Sequence, residues 1–195
     1  QRLTNLAGLI QGSDGLRIDT HGQQLDNSDT NGEKTGLRSG GVLNLIAGDV
    51  INQAGLIAGK LLDLNLRSLN NRAGAIGSAE GSKIASGALD NQNGAIQSGG
   101  DLRLDTHGAD LTNQQGQVLA DRSLAISSGG LSNQPGPIKA GQALNLTASQ
   151  TDNQHPPVSK QGLEAQDPTL SARSLNYLVR PFRSGDPLQA ASREP

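Results

Sequence analysis

Apolar residues over the first 150 positions come in short alternating pairs, never at the i, i+3, i+4, i+7 spacing that would give a helix an apolar face. Three such runs recur in fixed order. The first places a Leu or Val two residues before an Asn, at Leu3, Leu25, Val50, Leu69, Leu89, Leu111 and Leu131. The second places Ile or Val five residues after the Asn, at Ile10, Ile57, Ile76, Ile96, Val118 and Ile138. The third is a pair, Leu16/Ile18, Leu43/Leu45, Leu62/Leu64, Ser82/Ile84, Leu102/Leu104, Leu124/Ile126 and Leu144/Leu146. Alternation puts residues i and i+2 on one face of a strand, so Leu104 and Ile126 are predicted inward and Arg103 and Ala125 outward. Three short strands per unit, parted by Gly, Ser, Ala and Asn, predict one turn of a parallel β-solenoid. Seven such coils stacked at ~4.8 Å would span roughly 34 Å.

The phase is carried by Asn5, Asn27, Asn52, Asn71, Asn91, Asn113 and Asn133, with a decayed eighth copy at Asn153; the spacings are 22, 25, 19, 20, 22, 20 and 20. Each Asn amide is expected to bond the backbone at a bend and the same amide one coil away, a structural ladder rather than a catalytic set. Gly follows three residues later at Gly8, Gly55, Gly74, Gly94, Gly116 and Gly136. A second group, Gly12, Gly40, Gly59, Gly99 and Gly141, is expected to turn the corners with positive φ. Departures from 20 read as loops. Copies one and five each gain two residues at Asp-Thr-His-Gly, Asp19 to Gly22 and Asp105 to Gly108. In copy two Leu37 takes the isoleucine's place, and five added residues lie within Ser28 to Thr35, a polar stretch with Asn31-Gly32 that reads as a surface turn.

Hydrophobic residues make up 33% of the chain; counting its 26 glycines with them gives roughly 47%, an ordinary value for a folded domain. One Tyr, one Phe and no Trp imply an aliphatic core. Net charge is −2, with no basic stripe or aromatic platform, which argues against nucleic acid as a partner. No run of eighteen apolar residues predicts a transmembrane helix. The chain opens at Gln1 in mid-repeat and reads as part of a longer one; its lack of cysteine suits export through a pore.

The run Leu89-Asp-Asn91-Gln-Asn-Gly94-Ala-Ile96-Gln-Ser-Gly-Gly100-Asp-Leu102-Arg-Leu104 resembles the shaft repeat of filamentous haemagglutinin-like large exoproteins of two-partner secretion, a repeat also found in contact-dependent inhibition proteins. The likeness spans residues 1–153. It implies an all-β, right-handed parallel β-helix that is secreted or displayed on a bacterial surface. It further implies an outer-membrane transporter as partner during export, and an adhesive or toxic tip directed at a host or neighbouring cell. No cofactor, metal or catalytic residue is expected.

Two other classes bear on the same residues. A polysaccharide-acting β-helix enzyme would need converging acids and bases, and the best set is Asp19/His21 with Asp105/His107. Four coils would hold those pairs roughly 19 Å apart. The third histidine, His155, falls in another polar turn. A leucine-rich-repeat binding module shares the period, but wants Leu-x-x-Leu-x-Leu-x-x-Asn and helical segments. Residues 154–195 carry six of the eight prolines and read as a linker or capping segment with one short helix, from Asp167-Pro168 through Leu170, Leu175, Leu178 and Val179 to Pro181.

Overall fold

The computed structural model describes residues 2–153, 163–164, 167–177 and 189–191, and all regular structure in them is β-strand. Every strand pairing is parallel. Each strand lies on its counterpart in the next coil, which makes a β-solenoid of about eight turns, consistent with a right-handed β-helix.

Register turns the sequence repeats into continuous columns. One runs Ile18, Leu45, Leu64, Ile84, Leu104, Ile126, Leu146. A second runs Leu3, Leu25, Val50, Leu69, Leu89, Leu111, Leu131, and a third Ile10, Leu37, Ile57, Ile76, Ile96, Val118, Ile138. These columns are the core: Leu104 is 1% exposed and Ile126 2%, while Arg103 between the columns is exposed and Ala125 half-buried. Because a coil's aliphatic side chains lie against the coils above and below, no single coil encloses a core and stability accrues by stacking.

Irregular spacings are absorbed outside the columns. The two residues added after Asp19 and after Asp105 form turns, with Asp19 still paired to Ile46 and Asp105 to Ser127. The 19-residue step drops its residue at a register shift between Gly59 and Leu61. In copy two, residues 31–34 are exposed and Leu37 enters the isoleucine column. Thr30, however, is fully buried rather than part of a surface turn. It occupies the place three after the Asn where other coils have Gly. Its hydroxyl donates to Asn27 O at 2.8 Å and accepts Leu56 N–H at 3.1 Å.

Two expectations are corrected. The helix expected from Asp167 is instead the strand Asp167–Tyr177, laid along Ala143–Asn153 with Leu170 opposite Leu146, Ala172 opposite Ala148 and Leu175 opposite Thr151. The open edge of Ala143–Asn153 supplies hydrogen bonds along its whole length, which outweighs the local capping signal. Leu163–Glu164 likewise continues the column above Ile138–Lys139. Leu178, Val179 and Pro181 lie outside the described residues. The corner glycines Gly12, Gly40, Gly59, Gly99 and Gly141 do not have positive φ. Gly12, Gly40, Gly99 and Gly141 are small because backbone passes close by: a Cβ would stand 1.9 Å from Gly15 O at Gly12 and 2.2 Å from Ala79 O at Gly99, whereas at Gly59 it would meet the Leu62 side chain at 3.0 Å.

Candidate functional site

Three sets of residues carry polar chemistry: the inward asparagines, the two Asp-Thr-His-Gly turns, and the ion pairs on the outer faces. The asparagines are bonded one to the next without a break. Nδ2 of Asn5 donates to Oδ1 of Asn27, and so on through Asn52, Asn71, Asn91, Asn113 and Asn133 to Asn153, at 2.6–2.7 Å per rung. Every rung points the same way, so the amide dipoles align head to tail along the solenoid and polarise one another. Asn27 through Asn133 are fully buried. Nδ2 of Asn27, Asn52, Asn71 and Asn91 also donates to a carbonyl of the next coil, as Asn91 does to Gln117 O at 3.1 Å, while that of Asn5, Asn113 and Asn133 donates to the carbonyl three residues on in its own coil.

The ladder explains the glycine three places on. A Cβ on Gly94 would meet Asn71 O at 2.2 Å and Asn91 Oδ1 at 2.6 Å; one on Gly116 would meet Asn91 O at 2.1 Å and Asn113 Oδ1 at 2.5 Å. The residue just before that place adopts the left-handed conformation, at Ala7, Asp29, Ala54, Ala73, Asn93 and Gln115, with φ between 47° and 55°. None of these is glycine, although a left-handed alanine is strained. Composition therefore offers no signal for this bend. Its only trace in the sequence is the fixed interval between Asn and Gly.

Asp19 to Gly22 and Asp105 to Gly108 have the same geometry. Asp19 Oδ1 accepts the His21 N–H at 2.8 Å and Asp105 Oδ1 that of His107 at 2.9 Å. Both histidines have φ of 52° and are followed by a positive-φ glycine. Thr20 Oγ1 donates to Gln23 O and Thr106 Oγ1 to Ala109 O, closing each turn. The imidazoles project outward, 90% and 62% exposed, with Nδ1 3.6 Å from the carboxylate. The His107 N–H hydrogen bond lowers the Asp105 pKa. Pairing carries Asp19 to Asp105 through Ile46, Asn65 and Ala85, so four coil steps, roughly 19 Å, separate the turns. The structure brings each Asp to its own His but not one pair to the other. His155 lies outside the described residues, among which no cluster of three or more metal-ligating side chains occurs.

Outer-face charges join one coil to the next. Arg67 makes a two-point contact with Asp49 at 2.9 and 2.5 Å, and this guanidinium, helped by Ser68, lowers the Asp49 pKa to about 2. Arg72–Asp90, Lys60–Glu80 and Arg122–Asp101 are further cross-coil pairs. All are solvent-facing and each adds little to stability. Among the described residues no helix is long and apolar enough to cross a membrane.

Comparison with known proteins adds one match. A family model described as haemagglutinin repeat fits residues 9–62, 57–134 and 102–173. No curated protein and no solved structure matches the chain.

Proposed function

The chain belongs to the haemagglutinin-repeat family, and from that premise we propose that it is a shaft segment of a secreted or surface-displayed bacterial exoprotein. Its work is mechanical: it holds an adhesive or toxic tip away from the cell. The observation that carries this reading is the unbroken ladder from Asn5 to Asn153 inside continuous aliphatic columns, which devotes the repeated geometry of every coil to stacking. Since coils touch only their neighbours, each can form on the edge of the one before it. That suits export through an outer-membrane two-partner-secretion transporter, with folding outside biasing the passage. The receptor at the tip lies on a host or neighbouring cell.

Excising residues 72–91, one complete 20-residue repeat, tests the spacer role. The shortened chain should fold and display as before, with a reach shorter by ~4.8 Å. Loss of display or adhesion from a chain that still folds would instead assign a local site to that coil. The rival reading, a polysaccharide-acting enzyme, draws on the Asp19/His21 and Asp105/His107 turns. Alanine at all four should leave folding and display intact. Cleavage of an acidic or neutral polysaccharide by the unaltered chain, lost in the folded quadruple variant, would overturn the shaft reading.

A further inference from the structure

The chain contains two Asn-Gly steps, Asn31-Gly32 and Asn93-Gly94, in opposite structural settings. At Asn93-Gly94 the Asn93 side chain is exposed but Gly94 is wedged into the ladder. The Gly94 N–H donates to Asn91 O and the Asn93 N–H to Gln114 O, both at 3.0 Å, and Asn93 is held at φ 54°. Gly94 is so tightly enclosed that even a Cβ would collide with Asn71 O. Asn31-Gly32 stands in the copy-two insertion, where residues 31–34 are all exposed. The Asn31 N–H donates to Ala54 O at 3.1 Å, but around Gly32 the contacts are with side chains alone: a Cβ would meet only Thr35, the N–H donates to the Thr35 hydroxyl at 2.9 Å and the carbonyl accepts from Arg38 at 2.7 Å.

We propose that Asn31 is a site of spontaneous covalent modification by cyclisation onto Gly32, and that the fold protects the chemically identical step at Asn93. The Gly32 amide nitrogen attacks Asn31 Cγ. The new C–N bond forms as Cγ–Nδ2 breaks, and Nδ2 leaves as ammonia with the proton from the Gly32 nitrogen. Water then opens the five-membered imide at either carbonyl, yielding aspartate or isoaspartate. No oxidant or enzyme is required. Gly32 lacks the side chain that would crowd the attack, and exposure lets the backbone reach the cyclising geometry without opening a coil. At Asn93 the same geometry demands that Gly94 leave the ladder, so reaction there waits on local unfolding. The product adds a carboxylate beside Asp29 and Glu33, and in the isoaspartate form one more backbone carbon, in a segment that belongs to no column.

The test is to age the purified folded chain at mildly alkaline pH and map its peptides by mass, with isoaspartate detected separately. Asn31 should convert about tenfold faster than Asn93, or more, and both at comparable rates once the chain is held in denaturant. Gly32→Ala should slow the reaction at Asn31 without lowering the melting temperature. Equal rates at Asn31 and Asn93 in the folded chain would overturn the proposal. So would an Asn31 that reacts only in denaturant, or conversion without isoaspartate and unaffected by Gly32→Ala.

Discussion

Replacing Asn91 by Ala removes one rung from the middle of the amide ladder. It deletes the acceptor of Asn71 Nδ2 at 2.7 Å, the donor to Asn113 Oδ1 at 2.6 Å and the bond to Gln117 O at 3.1 Å. A buried polar group left without its partner costs ~1–3 kcal/mol. Two amides are affected, but Asn71 Nδ2 keeps weaker bonds to Gly74 O at 3.4 Å and Ala95 O at 3.3 Å, so a loss of about 3 kcal/mol is expected. Asn5→Ala removes a single rung at the end of the stack, where the bond to Asn27 and a weaker one to Gly8 O at 3.3 Å are lost and no amide below is deprived of its acceptor, and should cost about 1 kcal/mol. Urea denaturation gives the totals. Amide hydrogen exchange gives their location, because a solenoid loses stability chiefly in the coils that flank a defect. The backbone amides of the neighbouring coils should therefore exchange faster in Asn91→Ala, while those near Gln11 should not. An Asp at 91 should behave differently again. To donate to Asn113 its carboxyl must be protonated, so its folded pKa lies above the unfolded value of about 3.9. Stability is then retained below that value and lost as pH rises through the folded pKa. Equal, small losses from Asn5→Ala and Asn91→Ala, with no pH dependence in Asn91→Asp, would refute the ladder as a structural spine.

Leu104→Asp places an unpaired charge in a core column and should cost about 4 kcal/mol or more, whereas Arg103→Asp on the outer face should change stability by about 0.5 kcal/mol at most; equal melting temperatures for the two would contradict the register. Removing residues 31–35 together with Thr30→Gly restores a 20-residue step from Asn27 to Asn52 and should change stability by about 1 kcal/mol or less. Removing Ser28 to Gly32 instead takes away the buried Thr30 hydroxyl and should be clearly worse in a thermal melt; indifference to the choice would mean that Thr30 carries no load.

The fold was legible because a solenoid writes its register directly into its sequence. Leu3, Leu25 and Val50 stand in one column because they stand at one phase of the repeat, and Leu37 could be moved to the isoleucine column from Ser39-Gly40-Gly41 and Leu43 alone. The roles of individual small residues were harder to see. Glycine allows both positive φ and close approach, and composition cannot separate them; Gly12 and Gly99 serve the second, while the left-handed bends fall to Ala54 and Ala73. Thr30 was hidden among loop residues because a hydroxyl that replaces backbone hydrogen bonds resembles any polar turn residue. The strand Asp167–Tyr177 is not legible locally, because an Asp-Pro start and leucines at mixed spacing suit a helix, whereas the edge that recruits it as a strand belongs to residues 143–153. The position of the Asp-Thr-His-Gly turns follows from the repeat spacing alone, since insertions of equal length at one phase must project from one corner.

Every repeat adds one coil to a rod. Small-angle X-ray scattering on the chain and on variants with residues 72–91 duplicated once, twice and three times tests it most directly. The longest dimension should grow linearly by ~4.8 Å for each added repeat while the cross-section stays constant. Growth in all directions at once, following the ~0.38 power of chain length that describes a compact globule, would contradict it.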